Sequence, residues 1–304
     1  MSHPIRNIVA LAISGVLVFS AHAQTGGTLE KIRETKVVTI GHREASIPFS
    51  YYNDKQQVVG YANEICLRVV DAIKANLKMP DLKVAYGPVT SSNRIPLLAN
   101  GTVDMECGST ANLPERWTQA AFSNTYFLTG TRYLAKKSSG AKTIADLKGA
   151  TVASTAGTAN LTYLQEANKK LNLGMRVIAA NDHAEGFMMV ETGRAKAFVL
   201  DDVLLASLIA ASKEPAAYFV SDEEFAPALP YSIMVRKDDA AFKKVVDDAT
   251  AQLYKSPEMK VLYDKWFTKP IPSNGINLNL PVSPAMLKAF ASPTDTYDLT
   301  KYGK

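Results

Sequence analysis

Two extended runs, at 128–134 and 231–236, interrupt an otherwise regular strand–helix alternation, and the block between them repeats the pattern that precedes it. In the first block, Lys36-Val37-Val38-Thr39-Ile40-Gly41 reads as a buried β-branched strand ended by glycine. Asn63 is placed to cap a helix in which Ile65, Val69, Ala72 and Ile73 recur at helical spacing. Strand patterns follow at 82–86 and 103–107, separated by a short helix at 94–100 that Gly101 stops. The second block reads as a helical turn at 144–147, strands at 151–154, 176–179 and 197–200, and helices at 159–171, at 184–192 and from Asp202 onward. Two long helices are predicted at 239–254 and 257–267. Ser283-Pro284 then opens one more, as N-cap and first helical residue. Strands that alternate with helices belong in a mostly parallel sheet covered on both faces.

The economical topology makes the two runs a pair of crossing strands between two lobes. The chain then returns to finish the lobe it began. The expected architecture is therefore α/β, with lobe 1 at 28–129 plus 237–304, lobe 2 at 130–236 and a hinge between them. Open α/β sheets bind ligands beyond the carboxyl ends of their strands, so loops at those ends line the expected cleft.

The first residues read as an address. Arg6 precedes an apolar stretch at 8–19, and Ala21-His22-Ala23 fits a secretory cleavage site. The stretch is too short for a permanent membrane anchor, so cleavage is expected after Ala23, leaving Gln24 first. About 280 residues then remain, enough for two domains. With 47% hydrophobic and 21% charged residues, the chain can bury ordinary cores. The formal charge of +5 falls to +4 without Arg6, and the basic residues are interleaved with acidic ones. Nucleic acid and membrane surfaces are therefore not the expected partners. Cys66 and Cys107 either pair in an oxidising compartment or are buried separately as small hydrophobes.

Polar residues gather just after strand ends: Gly41-His42-Arg43-Glu44, Thr90-Ser91-Ser92-Asn93-Arg94 and Gly108-Ser109 through Arg116. Arg43, Arg94 and Arg116 all fall in such loops, and an arginine fork grips a carboxylate bidentately. Each alone also reads as a surface arginine or the partner of a neighbouring glutamate. Thr155-Ala156-Gly157-Thr158 opens a helix, where free N–H groups and the helix dipole favour an anion, or Thr158 simply caps it. Asp201 either caps the following helix or accepts from an ammonium, and with Asp202 beside it one can do each. His183 alone reads as an ordinary loop histidine. His42 is the only other one after the cleavage site, which leaves too few for a multi-histidine metal site. No Gly-x-Ser-x-Gly elbow or His-Glu-x-x-His pair is present.

Gly41-His42-Arg43-Glu44 with Pro48-Phe49-Ser50-Tyr51-Tyr52, Asn93-Arg94-Ile95-Pro96-Leu97-Leu98, Glu106-Cys107-Gly108-Ser109-Thr110 and Phe198-Val199-Leu200-Asp201-Asp202 occur in this order, with Lys265-Trp266-Phe267 near the end. Together they resemble the family 3 periplasmic solute-binding proteins for polar amino acids, above all the glutamate/aspartate binders, from Thr28 to about Lys288. The resemblance implies the type II periplasmic-binding fold and capture of L-glutamate or L-aspartate for the permease subunits of an ABC importer. It implies a periplasmic monomer with no cofactor, no metal and no catalysis. Arg116 and Ser109 are expected on the ligand α-carboxylate and Asp201 on its ammonium. Arg43, Ser91, Arg94 and His183 are expected around the side-chain carboxylate, with Thr158 helping from the second lobe. Ala111 also falls among the expected ligand-binding positions. Ala111 and Ala159 stand where close relatives are expected to carry Thr, and each lacks a hydroxyl worth about 1 kcal/mol if that group is used. The main alternative is an exported dehydratase of the cyclohexadienyl type on the same fold, with His183 or Glu44 as its acid/base group. A ligand-sensing receptor domain would need a fused signalling or transmembrane segment.

Overall fold

The computed structural model of the protein describes residues 27–272 and 275–303. The expected export signal, with Arg6, the 8–19 stretch and the Ala23 cleavage site, lies outside them. The strand–helix alternation resolves into two principal sheets. In the first, Val37–His42 pairs in parallel with Lys83–Pro88 on one side and Met105–Cys107 on the other. Met234–Arg236 then runs antiparallel between Met105–Cys107 and Ala120–Phe122. In the second sheet, Thr151–Thr155 lies in parallel between Arg176–Ala180 and Ala197–Asp201. Phe127–Lys136 continues that sheet antiparallel to Ala197–Asp201. The fold is thus the two-lobed α/β arrangement that the alternation predicts.

The two lobes are joined by a strand pair in which Phe127 lies opposite Tyr231, Leu128 opposite Pro230 and Thr129 opposite Leu229. The returning strand is Ala226–Tyr231, earlier than the expected 231–236 run. That run is divided at Ser232 and Ile233, which hydrogen-bond the backbones of Thr110 and Ser123 and turn the chain into the first sheet. Met234–Arg236 therefore already pairs in the first sheet, ahead of the expected return at 237. Ser232 is the only turn-type residue at the division, and a lone serine within an extended run gives no periodicity signal.

The helix expected from an Asn63 cap begins at Tyr61 instead and runs to Leu77, with Asn63 buried inside its first turn. Gly60 makes this entry possible: it has φ +135°, and a Cβ there would lie 2.2 Å from the Phe49 carbonyl oxygen. Packed beneath the crossing strands is an aromatic cluster. Phe127 stacks on Phe267 at 4.9 Å, and Phe49 meets Phe127 at 5.0 Å and Tyr231 at 5.2 Å. Buried rings of this size fix the crossing pair against the first lobe.

Cys66 and Cys107 form a disulfide, with Cα atoms 6.4 Å apart, that ties Tyr61–Leu77 to the end of Met105–Cys107. The C-terminal segment is packed as well. Thr125 N donates to Thr294 O at 2.9 Å, and the Thr125 and Tyr302 hydroxyls lie 2.8 Å apart. Ser283 caps Pro284–Ala291 as its Ser-Pro sequence predicts, accepting from Met286 N. Among the described residues no helix is long and apolar enough to cross a membrane.

Candidate functional site

Every strand end singled out in the sequence faces one cleft between the two sheets. Arg43, Ser91, Arg94, Ser109, Ala111, Arg116, Thr158, His183 and Asp201 are all buried. Among the described residues, the contacts that span the cleft include three close ones. Arg43 Nη2 lies 3.4 Å from His183 Nε2, Arg116 Nη2 donates to the Gly157 carbonyl at 3.4 Å, and the Gly157 backbone packs against that of Ser91 and Ser92. The lobes are therefore closed upon each other.

On the first lobe, Arg43 follows Val37–His42, and its backbone N–H donates to Ser50 Oγ at 2.9 Å. Arg94 opens the Arg94–Ala99 helix and donates to Thr110 Oγ1 at 2.5 Å. Arg116 sits in the 3₁₀ turn Pro114–Thr118 and donates to the Ala111 carbonyl at 2.7 Å, while Ser109 Oγ donates to Ser46 Oγ at 3.2 Å. None of the three arginines pairs with Glu44 or Glu115, the surface partners considered from sequence. Burial and the nearby Arg94 lower both Arg43 and Arg116 to about 10, which leaves each charged at neutral pH.

On the second lobe, Thr158 caps Ala159–Lys170, accepting from Leu161 N, and donates to the Thr155 carbonyl at 2.6 Å. Ala159 is the first residue of that helix. His183 is not in a loop but opens the helix His183–Glu191, with Nδ1 2.9 Å from Thr155 Oγ1. Burial, and then Arg43 and Arg94, hold its pKa well below the usual value, so the ring is neutral. Neither aspartate side chain caps the helix Asp202–Ala211, whose N-cap position is Asp201. Asp202 accepts from Thr129 Oγ1 and Val203 N, while Asp201 accepts from Asn160 Nδ2 at 3.1 Å. Burial raises Asp201 to about 6, opposed by the nearby Tyr231 hydroxyl and by Asn160. The Tyr231 hydroxyl is itself buried without a hydrogen-bond partner among the described residues.

Arg43 Nη1, Ser91 Oγ, Arg94 Nε and Asp201 Oδ1 are buried without a hydrogen-bond partner among the described residues. A buried polar atom without a partner is costly, and here four of them come from the residues predicted to hold one small ligand. These three donors and one carboxylate suit a ligand with an anionic and a cationic group, and the buried, charged Arg116 beside them can hold a second anionic group. A pocket of 260 Å³ lies at the cleft edge between Arg43, Thr90 and Asp182. The larger cavity of 430 Å³, lined by residues including Leu128, Asp202, Leu278 and Met286, contains none of the predicted site residues.

Thr110, Glu106, Asn160 and Tyr231 complete the polar lining and were not assigned from sequence. Thr110 and Glu106 lie inside the Glu106–Thr110 string, and Asn160 follows Ala159, so position was visible but contact was not. Tyr231 begins the second extended run, where nothing local marks it as a site residue.

The chain belongs to family 3 of the bacterial extracellular solute-binding proteins, whose family model matches residues 38–269. It is 49% identical over 289 residues to the L-glutamate/L-aspartate-binding protein of Pseudomonas aeruginosa, covering 95% of this chain and 94% of that one. It is 45% identical over 294 residues to the glutamate/aspartate import solute-binding protein of Escherichia coli, covering 96% and 97% respectively. Among solved structures, an ancestral amino acid-binding protein described as a precursor of cyclohexadienyl dehydratase superposes with a TM-score of 0.67 at 26% identity, covering 79% of this chain and all of that one.

Proposed function

We propose that the protein captures L-glutamate or L-aspartate in the periplasm and delivers it, as a monomer, to the permease subunits of an ABC importer. The observation that carries this reading is the charge pattern of the closed cleft, in which Arg43, Arg94 and Arg116 surround a site containing Asp201. Arg116 and Ser109 take the ligand α-carboxylate and Asp201 its ammonium. Arg43, Ser91, Arg94 and His183 take the side-chain carboxylate, and Thr158 and its neighbouring backbone close from the second lobe. The names of the relatives at 49% and 45% identity support the same ligand pair. Residues 1–23 serve as the export signal, and closure of the lobes selects the ligand and presents one surface to the permease.

No chemistry on the ligand is part of this reading. Of the two acid/base candidates, Glu44 is exposed and His183 is fixed between Arg43 and Thr155. The dehydratase alternative rests on likeness to a 26%-identical precursor, well below the identity to the transport proteins. Isothermal titration of refolded, ligand-stripped protein tests the proposal. Saturable heat with glutamate or aspartate, exceeding that with glutamine or asparagine, is the expected result. No heat with any of the four overturns it.

A further inference from the structure

Glu106 is a fully buried carboxylate on the central strand of the first lobe, with Gly41 and Met234 as its register partners on either side. Glu106 Oε2 accepts from Thr110 Oγ1 at 2.6 Å, and the same hydroxyl accepts from Arg94 Nη1 at 2.5 Å. Because a hydroxyl has one proton, donating it to Glu106 leaves its lone pairs for Arg94 alone. Glu106 also lies against Arg43. A Cβ on Gly108 would sit 2.4 Å from Glu106 Oε1 and 2.7 Å from Arg43 Cγ, so only glycine leaves room for the two to approach.

The geometry points to Glu106 as a positioning residue for ligand specificity: through Thr110 it aims the Arg94 guanidinium at the ligand side-chain carboxylate. Its charge has a second effect. With Glu106 counted, the buried site contains three arginines against two carboxylates, Glu106 and Asp201. A ligand of net charge −1 balances that set, whereas a neutral amino acid leaves one arginine charge desolvated and uncompensated. The inference rests on the acidic amino-acid reading above and adds to it a residue that need not touch the ligand.

The test is titration with glutamate in two backgrounds, wild type and Arg94→Lys. In the wild-type background Thr110→Val and Glu106→Leu each lower affinity roughly tenfold or more, while Thr110→Ser, which keeps the hydroxyl, stays within about threefold. In the Arg94→Lys background the Val and Leu substitutions change affinity by less than about threefold, because the group they aim is already altered. Thermal unfolding of each variant, with Thr110→Ser as the folded reference, separates lost aim from lost fold. Equal losses in both backgrounds, or a Ser variant as weak as the Val variant, overturn the positioning role while leaving the functional reading intact. A wild-type protein that does not bind glutamate overturns both.

Discussion

The backbone of Gly157 closes onto that of Ser91: a Cβ on Gly157 would lie 2.6 Å from the Ser91 carbonyl oxygen and 2.6 Å from Ser92 Cα. Backbone atoms cannot step aside as a side-chain tip can, so this one hydrogen atom sets how far the lobes shut. Gly157→Ala is expected to lower affinity roughly tenfold or more and to keep the ligand-saturated radius of gyration at its open value. Gly149→Ala is the control. Its φ of +69° is close to the +74° of Gly157 but nothing lies within 4 Å, so it should change stability and leave affinity alone.

Arg94 and Arg116 are expected to fail differently. Arg116→Ala should weaken glutamate, aspartate and glutamine alike, because every α-amino acid presents the carboxylate it holds. Arg94→Ala should weaken the two acidic ligands by roughly a hundredfold and glutamine far less, the scale of a lost charge-assisted pair. Competition titration across the three ligands checks this. Parallel losses in both variants would contradict the division of roles.

Acidification should weaken binding through Asp201. Burial raises its folded pKa from 3.8 to about 6, so the ligand-free cleft binds a proton that the unfolded chain has already released. That contribution to stability is full below 3.8 and is lost as the pH rises through 6. A bound ammonium reverses the balance, favouring the carboxylate and expelling the proton. Affinity at pH 5 is therefore expected to be roughly tenfold below that at pH 7.5, with proton release near pH 6 visible as a buffer-dependent binding enthalpy. Asp201→Asn should bind weakly at both pH values, with no such release.

The Cys66–Cys107 bridge closes a loop of 41 residues, which on a chain-entropy view is worth about 4 kcal/mol. Replacing both cysteines with alanine should lower the melting temperature by roughly 10 °C in calorimetry. Affinity measured well below that temperature should change little, since both cysteines are fully buried in the hydrophobic core.

Much of the fold was legible because its elements carry strong periodicity: Pro257–Phe267 falls where the pattern places it, and Ala159–Lys170 differs by one residue. The failures share a cause. The entry to Tyr61–Leu77 depends on a glycine pressed against a distant backbone, and the split at Ser232 on hydrogen bonds to Thr110 and Ser123. Both are tertiary facts without a local signature. In the site, residues that end strands were visible because strand ends converge on the cleft. Glu106 and Asn160 act through neighbours, Thr110 and Asp201, and only coordinates reveal such partners. Pairing of the cysteines likewise turned on the relative placement of a helix and a strand.

The interior position of Met234–Arg236 in the first sheet also orders events in time. Strands of the second sheet come from one unbroken stretch, whereas the first has an opening between Met105–Cys107 and Ala120–Phe122 until residue 236 has been made. A polypeptide emerging N-terminus first can therefore finish its second sheet before its first, and the lobe begun earliest is the last to be sealed.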